Sequence, residues 1–201
     1  MKKMRTKLKL NSILFISFGL CFVLLTISCT NDPKPKPRAY FRIDLPEKEY
    51  RIFDSSCPFS FEIPRYSGIE IAGESTDSCR FNLVFPRQNA KIYFTYLNVN
   101  NDVSTYLNDA YQMAYSHESK ANSIGRKRIS NDEHNVHGIV FDLKGEVASS
   151  LQFYATDSSE HFLRGALYFN SSPNMDSISP VLSFIREDVI HILETLEWRN
   201  N

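Results

Sequence analysis

Residues 136–170 read VHGIVFDLKGEVASSLQFYATDSSEHFLRGALYFN, and this stretch decides the fold class. Ile139, Phe141 and Leu143 alternate with Val140 and Asp142, the two-residue period of a strand. Lys144-Gly145-Glu146 is a compact turn signal. Val147, Ser149, Leu151, Phe153 and Ala155 then fall on one face of a second extended run, which places Ser149-Ser150 mid-strand. Thr156-Asp157-Ser158-Ser159-Glu160 turns the chain again, and Phe162 to Asn170 returns. Strands over 136–143, 146–156 and 161–170, joined by one at 122–130, predict an antiparallel meander.

Upstream, Phe59-Ser60-Phe61-Glu62-Ile63 alternates apolar and polar and stops at Pro64. Gly68 to Ser78 is polar, carries two Gly and reads as loop. Phe81-Asn82-Leu83-Val84-Phe85 and Lys91 to Val99 read as strands around a Pro86–Ala90 turn. Asn101 or Asp102 caps a helix whose stripe is Val103, Tyr106, Leu107, Ala110, Met113 and Ala114, fading near His117 to Lys120. Downstream, Ile178, Val181, Leu182, Ile185, Val189, Ile192, Leu193 and Leu196 form a second stripe, with Pro180 expected in its first turn. The expected fold is α+β: an antiparallel sheet with its apolar face covered by two main helices. Its element order resembles the PsbP/Mog1-like sandwich.

The N-terminal residues carry a different pattern. Lys2, Lys3, Arg5, Lys7 and Lys9 precede an almost wholly apolar run from Leu10 to Ile27, the pattern of an export signal. The run also approaches the roughly 20 residues of a membrane span, so a retained helix competes with a cleaved signal. Cys29 decides between them. Leu25-Thr26-Ile27-Ser28-Cys29 is similar to the lipobox of bacterial lipoproteins, with Thr26 where Leu is usual and a small Ser28 before the Cys. In that class the Cys is acylated on its thiol and on its new amino group, and two or more chains anchor stably.

Residues 1–28 are thus expected to be a lipoprotein signal peptide. Residues 29–39 are expected to be the lipidated Cys and a Pro/Lys-rich tether. Residues 40–201 are expected to form a single globular domain with an extended N-terminal arm. Pro33-Lys34-Pro35-Lys36-Pro37-Arg38 favours polyproline II, and about ten such residues span roughly 30 Å. Lys34, Lys36 and Arg38 suit anionic headgroups as well as plain solvation.

Five of the 23 Lys and Arg precede Cys29 and none of the 23 acids does, so the remainder carries 18 cations against 23 acids, net −5. That balance argues against nucleic acid as a partner. With Cys21 in the signal and Cys29 lipidated, Cys57 and Cys79 remain as an even pair beyond the membrane. A disulfide between them is expected, the alternative being two free buried thiols.

The chain has no GxSxG, GxxxxGK[ST], HExxH or GxGxxG motif. His134 and His137 stand three apart among Asn, Asp and Gly and read as loop residues rather than metal ligands. Arg186-Glu187-Asp188 reads as a solvated helix face. No catalytic residue, metal, cofactor or small-molecule substrate is expected.

Four stretches carry a family resemblance: PKPRAYFRIDLPEKEY (35–50), SSCPFSFEIPRY (55–66), VASSLQFYATDSSEHFLRGALYFNSSPNMDS (147–177) and PVLSFIREDVIHILETLEW (180–198). Together they resemble the GldD gliding-motility lipoproteins of the Bacteroidota. The resemblance implies an acylated Cys29, paired Cys57 and Cys79, and a place in the cell envelope. It implies a role in crawling over surfaces, beside a proton-driven motor and a dedicated secretion system. No enzymatic activity is established for that family.

The resulting expectation is a lipid-anchored, non-enzymatic part of the gliding machinery. Its partners would be the membrane and other envelope proteins of that machinery, docked through the arm at Tyr40, Phe41, Arg42 and Ile43. The competing expectation is an envelope hydrolase or glycan-binding module, which a cleft with convergent carboxylates would favour.

Overall fold

Among the described residues, alternation of Phe, Leu, Ile and Val with small or polar residues builds ten strands, and two apolar stripes build two α-helices. The computed structural model describes residues 43–53, 55–71, 79–99, 102–171 and 175–199. All belong to one compact unit, Phe41–Asn201. The strands are β1 (Tyr50–Phe53), β2 (Phe59–Pro64), β3 (Gly68–Ile71), β4 (Arg80–Phe85), β5 (Ala90–Asn98), β6 (Ala121–Asn131), β7 (Val136–Gly145), β8 (Leu151–Thr156), β9 (His161–Phe169) and β10 (Glu197–Trp198). Helix α1 (Val103–Tyr115) follows β5, and helix α2 (Met175–Glu194) follows β9. Every pairing is antiparallel, in a three-stranded sheet β1-β2-β10 and a seven-stranded sheet β3-β4-β5-β9-β8-β7-β6.

The expected α+β class holds, with two main helices against antiparallel sheet. The helices take opposite faces rather than one. Leu151, Phe153 and Ala155 of β8 pack with Ile185, Val189 and Ile192 of α2, whereas Tyr154 packs with Ala110 and Ala114 of α1. Successive strand residues point to opposite faces, so β8 is buried on both sides, and all six of its residues are buried. The three-stranded sheet lies on the α2 side, where Phe59, Phe61 and Ile63 join the larger core. Phe53, Phe81 and Phe94 stack there with centroids 4.6 and 4.7 Å apart, and Phe153 meets Phe94 edge-on at 5.5 Å.

Several boundaries differ from expectation. Gly68 to Ile71 is a strand, not loop: Ile69 and Ile71 sit opposite Leu83 and Phe81, and Glu70 opposite Asn82. Residues 146–150 are not strand. Gly145 takes φ +126°, the Leu143 amide closes on the Ser150 carbonyl at 2.9 Å, and Val147 lies in the α1-side cluster, away from Leu151. Ser149 and Ser150 are therefore buried in a turn before β8. Met113 is exposed on α1. Pro180 is the sixth residue of α2, beyond its first turn. That helix ends at Glu194, and Glu197–Trp198 pairs with β2. The expected extended arm contains strand β1, hydrogen-bonded to β2.

Candidate functional site

The N-terminal segment is fastened to α2 by a buried carboxylate. Asp188 is fully buried, on the same helical stripe as Ile185 and Ile192. Its Oδ1 accepts from Lys48 Nζ at 2.6 Å and from the Tyr50 hydroxyl at 3.0 Å; Oδ2 accepts from the Tyr66 hydroxyl at 2.7 Å. Lys48 also donates to the Phe184 carbonyl at 2.6 Å and lies 3.7 Å from the Phe184 ring centroid. Burial first, then Asp188 through its charge and its hydrogen bonds, pushes the Tyr50 and Tyr66 hydroxyls well above the ordinary phenol range. One helical turn on, His191 Nε2 meets Glu62 Oε2 at 2.7 Å, and Tyr50 stacks on the His191 ring at 3.7 Å. Arg186 clamps Asp142 through two bonds of 2.7 and 2.9 Å, a bidentate pair that raises the guanidinium's pKa.

These contacts correct the reading of Arg186-Glu187-Asp188 as a solvated face. Only Glu187 fits it, with its side chain 72% exposed. The signal was present in the sequence: Asp188 stands three residues after Ile185 and four before Ile192, inside the apolar stripe.

Of the expected docking residues, Tyr40, Phe41 and Arg42 lie outside the described residues, as does Cys29. Ile43 is exposed at 40%, and the chain from Lys48 onward is committed to the domain. Cys57 and Cys79 form a disulfide, with Cα atoms 5.7 Å apart. It joins the turn before β2 to the start of β4, one sheet to the other. His134 and His137 go to different neighbours: His134 Nε2 faces Glu197 at 3.5 Å, and His137 Nδ1 faces Ser130 Oγ at 3.2 Å. Among the described residues no three His, Cys, Asp or Glu gather around a metal-sized site, and no helix is long and apolar enough to cross a membrane.

A groove of about 1070 Å³ runs between the first half of α2 and the β6–β7 pair, lined by Ser179, Ser183, Lys127, Lys144, Asp142 and Glu146 among others. Asp142 gives both carboxylate oxygens to Arg186. The groove presents serine hydroxyls and lysine ammoniums from facing elements.

Among curated proteins none matches the chain. Among solved structures, the solution structure of cyanobacterial PsbP (CyanoP) from Synechocystis sp. PCC 6803 is similar to it. The TM-score is 0.46 at 6% identity, covering 79% of this chain and 97% of that one. A family described as "Gliding motility lipoprotein GldD" matches residues 30–198. That span takes in every described strand and both helices, and the chain belongs to the GldD family of gliding motility lipoproteins.

Proposed function

We propose that the protein is a lipid-anchored, non-enzymatic component of the cell envelope that supports assembly or operation of the gliding machinery. The observation that carries this reading is the family match over 30–198, which begins at the residue after Cys29. The apolar run ending in Leu25-Thr26-Ile27-Ser28-Cys29 and the Pro/Lys tether support acylation at Cys29. The domain would stand off the membrane on residues 29–39. The segment 40–43, just outside the latch at Lys48, would meet a partner protein through Tyr40, Phe41, Arg42 and Ile43.

Deleting the gene should stop single cells moving over a wet glass surface, and the wild-type gene should restore movement. Undisturbed movement after deletion would overturn the reading. For the docking segment, replacing Tyr40 and Phe41 with Ala should abolish recovery of partner proteins in crosslinked pull-downs while the melting temperature is kept. Loss of folding would instead show that these two side chains belong to the domain's own packing.

A further inference from the structure

Helix α1 covers only one end of its side of the seven-stranded sheet. Its residues pack on Leu97, Phe141, Tyr154 and Phe162. The strand register defines what the other end presents. Arg80 and Arg164 share one rung through Thr95. Asn82, Tyr93 and Gln152 share the next through Ala166. Lys91 and Tyr168 share the third. Tyr93 is 46% exposed and Tyr168 37%, their rings perpendicular with centroids 5.4 Å apart.

Among the described residues the charges on this face do not cancel. Glu70 is taken by Lys91 at 2.8 Å and by Asn82 at 3.1 Å. Arg164 is partly buried, and among the described residues its hydrogen bond is Nη2 donating to Gln152 Oε1 at 2.8 Å. No carboxylate among the described residues pairs with it. A guanidinium has five N–H donors, so most of Arg164's capacity and all of its charge remain uncommitted. Burial accordingly holds its pKa below the ordinary guanidinium value. Arg80, on the same rung, is exposed. This positive patch sits on a chain whose net charge from Cys29 onward is −5, so it is a local arrangement and not a reflection of composition.

The chemistry selects among occupants. An extended peptide adds to a sheet edge through free backbone groups, whereas β5 and β9 are interior strands whose backbone groups are spent in the ladder. Sugar rings match the face better. Their C–H faces pack on aromatic rings, and their hydroxyls accept from guanidinium groups. Their carboxylates take bidentate bonds from arginine. We propose that this open sheet face binds an acidic polysaccharide of the cell envelope, with carboxylates on Arg164 and Arg80 and sugar rings against Tyr93 and Tyr168. The choice of an envelope polymer rests on the location argued under the proposed function.

The test is calorimetric titration of the full chain in detergent micelles with tetragalacturonate, a neutral tetrasaccharide and polyglutamate. Tetragalacturonate should bind and the neutral sugar should bind far more weakly. Arg164→Gln should weaken the acidic sugar by about tenfold, and so should the double change Tyr93→Ala with Tyr168→Ala. Lys127→Gln, on distant β6, should leave binding intact. The proposal is overturned if the wild-type chain does not bind tetragalacturonate, if Lys127→Gln weakens it equally, or if polyglutamate binds as tightly and without dependence on the tyrosines. Should Arg164→Gln fail to fold, Tyr93→Ala, at an exposed position, decides. A wild-type chain that restores gliding yet binds no acidic sugar sinks this inference alone.

Discussion

Asp188 shows how one buried charge can set the course of a chain segment. A fully buried carboxylate is costly unless it is neutralised, and Lys48, Tyr50 and Tyr66 converge on it from residues more than 120 positions away in sequence. Replacing Lys48 with Met keeps the stem packed on Phe184 but leaves the carboxylate without a cation. The expected cost is about 2–4 kcal/mol, read as a melting temperature lower by about 5–10 °C. A melting temperature within a degree or so of wild type would contradict this account of the latch. The same site gives an alkaline signature. Tyr50 and Tyr66 carry hydroxyl pKa values raised by burial and by Asp188, so their stabilisation is complete below the unfolded value of about 10 and is lost as pH climbs towards the folded values. Between about pH 9 and 11 the wild-type melting temperature should fall more steeply than that of Tyr66→Phe. Parallel curves would show that Tyr66 does not contribute to the alkaline loss.

Strands β8 and β9 meet where Phe153 lies opposite Gly165, and the ring occupies the space a Cβ on Gly165 would take. Gly165→Ala should push Phe153 off Phe94 and cost about 1–3 kcal/mol in a denaturant titration; an unchanged midpoint would mean that the core yields there. This pair also shows what the sequence could and could not reveal. Period-two alternation in 136–143 and 161–170 was enough to place β7 and β9, and the 3.6-residue stripes placed both helices. Val147 and Leu151 share a parity but pack in different layers, because the turn at Gly145 to Ser150 breaks the extended backbone between them. Short edge strand β3 was hidden because two isoleucines in a polar, Gly-containing stretch carry a weak pattern. Sequence periodicity says that a strand has two faces, but not which helix takes which face. That assignment depends on how connections run through space. The polar latch was missed for a related reason: a charged residue inside an apolar stripe is visible, but its three partners come from elsewhere in the chain.

The described domain is built in layers, with α1 on one side of the seven-stranded sheet and α2 with the three-stranded sheet on the other. The Cys57–Cys79 bond joins the two sheets and closes 22 residues of chain. Replacing both cysteines with Ser should cost about 3 kcal/mol by loss of that constraint. Equal stability of the reduced and oxidised chains in denaturant would contradict it. The fold thus offers a covalently braced body, an N-terminal segment latched to α2, and an open, positively charged sheet face. For the tethered envelope component proposed above, these would supply a rigid body and a fixed point for its leash.

The leash is where the central claim meets its most direct test. Cells lacking the gene are supplied with wild-type protein or with Cys29→Ser, and single-cell speed on wet glass is recorded beside the share of protein in the membrane fraction. The account predicts full speed with wild type. It predicts stalled cells with Cys29→Ser, although the variant protein accumulates, because an unacylatable chain cannot be anchored by lipid. Normal speed with Cys29→Ser released from the membrane would contradict it, leaving a gliding protein whose lipid is dispensable.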